Sequence, residues 1–208
     1  VTAFEGQGAV AYAQTADIVV TGSADGVFVL DDFEVVPIAS AVDGSRRLAS
    51  VSGSGTRVGD ADAFRAAFDR GTLGTAAQLV GLTRRMLDMT VEYVAERRQF
   101  GAPVGSFQAV KHHLADARIA LEFARPLVYR AAWSKSEGDA ETPVHVSMAK
   151  AAAGDAALLT ARKALQCHGA IGYSYEYDLH LFMKRAWALA VAWGDAAFHR
   201  ARVARAIL

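Results

Sequence analysis

The chain has 208 residues, 52% of them hydrophobic, and its 22 Lys and Arg balance 22 Asp and Glu. That is enough apolar material for a sizeable core, and zero net charge gives no long-range field to draw nucleic acid or an anionic membrane. No uncharged run approaches the ~18 residues that span a bilayer, and the single cysteine, Cys167, excludes an internal disulfide and suits a reducing, cytoplasmic setting.

The start, Val1-Thr2-Ala3-Phe4-Glu5, has no initiator Met, basic segment or cleavage pattern, and reads as a chain that begins partway into something larger. Up to residue 59 the texture is β. Ala9 to Ala13, Asp17 to Thr21, Gly26 to Leu30 and Phe33 to Pro37 are short runs rich in Val, Ile, Phe and Tyr. The turn signals between them are Gly22 to Gly26, Asp31-Asp32 and Asp43-Gly44-Ser45. Val51 to Thr56 reads as a last strand or a loop, and the whole is expected to be part of an antiparallel β domain over 1–59.

From residue 60 to 208 the pattern is helical. Asp60 or Asp62 can cap a helix entering at Ala63, along which Leu73, Val80, Leu87, Val91 and Val94 recur at helical spacing. Ser106 is expected to cap the next helix, whose stripe is Val110, Leu114, Ala117, Leu121, Ala124 and Val128. Thr142-Pro143 reads as a cap with proline at the first helical position, opening an Ala-rich helix that Gly169 closes. Shorter helices over Leu179 to Trp193 and Asp195 to Ile207 follow. Long helices joined by short loops predict a mainly α fold with a four-helix-bundle-like domain over 60–208.

Two clusters sit at helix ends, where backbone groups lack intrahelical partners and can meet a ligand. The first is Glu96-Arg97-Arg98-Gln99-Phe100-Gly101, and the second runs from Gln166 through Cys167-His168-Gly169-Ala170-Ile171-Gly172 to Tyr173. A guanidinium grips a phosphate through two parallel hydrogen bonds, and a Gln amide reads a sugar or base edge. Together they point to a large phosphorylated cofactor. Taken singly, Arg97 is more simply a cation complementing a helix dipole, and Gly169 an ordinary C-cap.

Arg97-Arg98-Gln99-Phe100-Gly101-Ala102-Pro103-Val104 with Gln108 after it, followed by Gln166-x-His168-Gly169-x-x-Gly172-Tyr173, resembles the C-terminal region of the acyl-CoA dehydrogenases, over about Phe64 to Arg205. Within the motif, Gly101 lets the chain turn sharply and Phe100 is expected to anchor the turn in apolar contact. The resemblance implies that Arg97, Gln99, Phe100 and Gln108 contact the FAD of a neighbouring subunit. It also implies that the turn carrying Gln166, Gly169 and Ala170 passes the cofactor's adenosine and pyrophosphate. The family commonly has two adjacent glycines where this chain has Gly169-Ala170, so the extra methyl is either tolerated or crowds the phosphate. His168 is expected to be packed or hydrogen-bonded rather than catalytic.

The family's reaction needs a Glu to take the proton beside the thioester carbonyl while a hydride leaves for the flavin. Of the two sites where the family places it, one holds Trp193 here and the other Gly71. Neither moves a proton. Asp69 and Asp195 are the substitutes nearest those sites, although Asp195 also fits a helix N-cap, and Glu176 is expected to be structural. The resemblance therefore implies an FAD-dependent acyl-CoA dehydrogenase subunit, acting on an acyl-CoA substrate within a homo- or hetero-oligomer. The alternatives are a non-catalytic partner in a hetero-oligomer and a truncated structural bundle. His112 with Asp116, and Asp178 with His180, each stop short of a metal-ligand set, and no metal is expected.

Overall fold

The computed structural model describes residues 2–5 and 9–208. The packing divides it into two compact units, Val1–Arg70 and Gly71–Leu208.

The first unit is built on a five-stranded sheet: β1 (Thr2–Glu5), β2 (Ala9–Ala11), β3 (Val19–Ser23), β4 (Gly26–Pro37) and β5 (Leu48–Gly59), in the order β1-β3-β4-β5-β2. The β3·β4, β4·β5 and β2·β5 pairs are antiparallel, as predicted, whereas β1 joins β3 in parallel. Of the two readings open for Val51 to Thr56, the strand holds, as part of the long β5. One expectation needs correction: Asp31-Asp32 is not a turn but lies inside β4. The register slips between Leu30 and Asp32, and the Asp31 carboxylate accepts from Thr56 Oγ1 at 2.7 Å. An irregularity of this kind absorbs the two acids without ending the strand. Gly55 on β5 lies so close to β4 that a Cβ there would stand 2.0 Å from the Val29 carbonyl oxygen. Val10, Val19, Leu30, Ala49 and Val51 form the buried face.

Helix α1 (Ala61–Glu96) follows directly. Asp60 caps it: its carboxylate accepts from Ala63 N–H at 2.8 Å, and that bond holds its pKa below the usual carboxylate value. The remaining helices belong to the second unit: α2 (Gln108–Glu137), α3 (Thr142–His168), α4 (Leu179–Val191) and α5 (Ala196–Ile207). The caps differ from the sequence expectation at two places. Ser106 lies in a 3-10 turn over Val104–Ser106 and donates to Pro103 O, so Phe107 stands at the α2 N-cap. Glu141, not Thr142, is the α3 N-cap, and Thr142 Oγ1 donates to Asp139 O instead. In both cases the hydroxyl found a carbonyl in the preceding turn, which competes with capping.

Leu79 and Met86 of α1, Val128 of α2, Val146, Ala153 and Ala157 of α3, and Leu179 and Met183 of α4 meet in one core. α3 is central, packing against α2, α4 and α5. Its alanines put little between the backbones, so three neighbours fit around it. No helix among the described residues is long and apolar enough to cross a membrane.

Candidate functional site

The two sequence clusters come together at one end of the bundle. Tyr93, one turn before the end of α1, stacks on His168 at the end of α3, with ring centroids 4.3 Å apart and planes at 19°. Tyr177 closes the stack at 4.9 Å from His168, and its hydroxyl donates to Met89 O on α1. His168 is buried, and its Nδ1–H donates to Ala164 O at 2.8 Å. Burial holds its pKa below the ordinary value, so the ring is a neutral packing element at neutral pH. His168 is thus packed and hydrogen-bonded, as its position in the glycine turn suggested.

Beyond α1 the chain forms a small hairpin, β6 (Arg98–Gln99) against β7 (Ala102–Pro103). Its two turn residues, Phe100 and Gly101, both have positive φ, 52° and 80°. That sign pattern matches the right-handed twist of a tight two-residue hairpin, and glycine adopts it freely while Phe does not. The backbone is tied down by Arg97 N–H to Tyr93 O at 2.9 Å and Val104 N–H to Arg97 O at 2.7 Å. Arg98 donates to Gly101 O and Gln99 Nε2 to Arg98 O, bracing the turn from inside.

Phe100 does not anchor this turn as expected. It is 93% exposed, touching the edge of Phe107 at 6.3 Å between centroids. A small hairpin has no interior of its own to receive a phenyl ring, so the ring stays at the surface with Phe107 as its aromatic neighbour. Arg97, Gln99 and Gln108 are also exposed, and among the described residues the Arg97 guanidinium makes no ion pair. Gln108 is the first residue of α2, an end that no side chain caps, with Val110 and Lys111 N–H both donating to Phe107 O at 3.1 Å.

Across the stack, Gly169 ends α3 at φ 66° and ψ −143°, a conformation essentially reserved for glycine. A Cβ built there meets nothing within 4 Å, so the position is open and its glycine is demanded by the backbone. Ala170 follows in a 3-10 turn over Gly169–Tyr173 and does not have positive φ, so the methyl replacing a second glycine fits the backbone. Gln166 and Ala170 are exposed on the same turn. Arg97, Gln99, Phe100, Gln108, Gln166, Gly169 and Ala170 therefore lie at one end of one unit. Their exposed donors and open backbone fit a phosphorylated nucleotide. Among the described residues no three His, Cys, Asp or Glu side chains converge as metal ligands do.

The positions read from the sequence as the two base sites also meet. A Cβ added to Gly71 would lie 2.6 Å from Trp193 Cε2 and 2.7 Å from Cζ2, so the indole rests directly on the α1 backbone. Trp193 has φ 57° and Gly194 φ 86°, a left-handed pair between α4 and α5. Asp195 is the N-cap of α5, its carboxylate accepting from Phe198 N–H at 2.8 Å. Asp69 is buried on α1, and Glu176 is exposed, its N–H donating to Ser174 Oγ. Lys150, His199, Tyr93 and Tyr177 belong to no motif. The one signal available is that Lys150 falls on the apolar stripe of Val146, Ala153 and Ala157, where a cation breaks the pattern.

Comparison with known proteins identifies the fold and the family. A sequence model of the acyl-CoA dehydrogenase C-terminal domain matches residues 61–208. Acyl-CoA dehydrogenase IpdE2 of Mycobacterium tuberculosis is 37% identical over 171 residues, 82% of this chain and 51% of that protein. The chain thus spans about half the length of the curated relatives it matches. The ChsE4–ChsE5 complex from Mycobacterium tuberculosis superposes with a TM-score of 0.88 at 27% identity, over 99% of this chain and 62% of that one. A glutaryl-coenzyme A dehydrogenase in complex with glutaryl-CoA does so with a TM-score of 0.85 at 25% identity, over 98% of this chain and 60% of that one. With the helix-end motifs, the bundle and the matched domain in agreement, the chain belongs to the acyl-CoA dehydrogenase family.

Proposed function

We propose that the chain is a subunit of a flavin-dependent acyl-CoA dehydrogenase, and that its hairpin and glycine turn embrace FAD held mainly by a neighbouring subunit. One observation carries this reading: Phe100 is 93% exposed in a left-handed conformation beside the exposed Arg97 guanidinium. Displaying a strained aromatic costs free energy that a partner surface recovers. Bound FAD supplies the hydride acceptor for α,β-dehydrogenation of an acyl-CoA thioester. The chain's own residues do the holding. Arg97 offers parallel N–H donors to a phosphate, Gln99 and Gln108 offer directional amides, and Gly169 lets the backbone approach, with Gln166 and Ala170 on the same turn. Residues 1–59 then form part of a middle β domain and 60–208 the helical bundle domain.

A second reading is favoured by the contact of Trp193 with Gly71: this subunit completes a neighbour's cofactor site while another chain supplies the base. Neither residue has a carboxylate, and Asp195 is engaged as a helix cap. The relative ChsE4–ChsE5 is itself a complex of two different chains.

The test is flavin retention. Arg97→Ala in the assembled protein should weaken FAD binding by roughly 10- to 150-fold, since a charge-assisted hydrogen bond contributes ~1.5–3 kcal/mol. Visible flavin absorbance after gel filtration reads the loss, and unchanged occupancy removes the cofactor assignment. If the chain without any partner bleaches flavin on adding acyl-CoA and Asp69→Asn abolishes this, the non-catalytic reading fails.

A further inference from the structure

The turn that carries Trp193 is held by two side chains that no motif marks. Lys150 of α3 is 1% exposed, and its Nζ donates to Ala190 O at 2.9 Å and to Gly194 O at 2.8 Å. His199 of α5 is fully buried, and its Nε2–H donates to Trp193 O at 2.8 Å. Three carbonyls around one left-handed turn are thereby gripped from two different helices. Gly194 leaves no slack either: a Cβ there would stand 2.5 Å from Phe198 Cδ1. A buried ammonium is costly, and a position that retains one for two carbonyls at the end of α4 fixes that end firmly. The product of this bracing is the placement of one indole against the bare α1 backbone at Gly71.

We propose that Lys150 and His199 are positioning residues that hold the Trp193 indole on Gly71 as a fixed wall, and that this wall limits the size of the acyl group admitted. The size limit rests on the proposed acyl-CoA function; the positioning does not. Trp193 and Gly71 are a matched pair. A larger side chain at 71 collides with the indole, and a smaller one at 193 leaves a void over α1. Position 71 accepts no side chain while the indole is in place.

The positioning half is tested on the full chain carrying Trp133→Phe and Trp187→Phe, where Trp193 is the remaining fluorophore. Acrylamide quenching of its emission should rise in His199→Leu and in Lys150→Met. It should return toward the starting value in His199→Gln, whose amide can still donate to the Trp193 carbonyl. Quenching that is equal in His199→Leu and His199→Gln, or unchanged in both His199→Leu and Lys150→Met, overturns the clamp. Should Lys150→Met fail to fold, the two His199 variants decide alone. The pairing has its own signature: Gly71→Ala should lower Tm with Trp193 present and raise it in a Trp193→Gly background, where the better helix former meets no indole. The same sign in both backgrounds overturns the pair.

The size limit is read in the flavin-loaded assembly by comparing the Kd of butyryl-CoA and palmitoyl-CoA. Trp193→Gly should shift their ratio toward the larger acyl group by about tenfold or more. An unshifted ratio with both ligands binding overturns the wall alone. Absence of binding by either ligand to both proteins overturns the proposed function and, with it, the size limit, while the fluorescence result stands.

Discussion

Phe100 shows how a single residue trades stability for contact. Its left-handed φ costs an L-residue about 1–2 kcal/mol relative to glycine, and at 93% exposure it regains little of this from its own chain. Phe100→Gly should therefore raise stability by about 1 kcal/mol in denaturant unfolding while lowering flavin retention. A variant that loses stability, or keeps its flavin in full, contradicts the role given to the ring. Lys150 makes a different prediction. Burial pushes its pKa down to about 8 from an ordinary 10.5, with Asp195 acting in the opposite sense. Between those values the unfolded chain holds the proton that the folded one has released, so stability rises with pH through that window. Compared with Lys150→Met, the native protein should gain in Tm as pH is raised from 8 to 10. A difference independent of pH would mean the ammonium is not desolvated.

At the scale of elements, α3 organises the second unit because its alanines let three helices approach. Ala153 and Ala157 are fully buried in the shared core, and Ala157→Leu should cost about 1–3 kcal/mol in thermal or denaturant unfolding by overpacking. A neutral outcome would show that α3 sits loosely. Periodicity and punctuation gave these helices away in the sequence: Gly169 at the end of α3 and the apolar stripe of α2 were legible because they are local. The hydroxyl caps were not, since Ser106 and Thr142 each had a nearer carbonyl to bond. Asp31-Asp32 misled for a similar reason, because two acids read as a turn until a bulge and Thr56 accommodate them inside β4. The two helix-end motifs were visible as strings, but the stack of Tyr93, His168 and Tyr177 that joins them exists only once α1 and α3 are packed. Lys150 was hidden by its own chemistry: lysine is read as a surface residue, and its partners are carbonyls on another helix.

At the scale of the molecule, the chain exposes Arg97, Gln99 and Gln108 at one end of its bundle and packs the Trp193 indole on Gly71. Under the proposed function the first feature faces a neighbour's FAD, and in its second reading the base comes from another chain. In a two-fold assembly such an end can serve the partner's cofactor reciprocally, and in a mixed assembly it can complete the site of a chain that carries the Glu. Either way, the account turns on where Arg97, Gln99 and Phe100 lie once subunits and flavin are together. The direct measurement is a crystal or cryo-electron microscopy structure of the flavin-loaded assembly. The account predicts Arg97 within hydrogen-bond distance of an FAD phosphate held by the adjoining subunit, with Phe100 buried beside it. A structure in which those residues face bulk solvent in every copy, with the cofactor bound elsewhere, would contradict it.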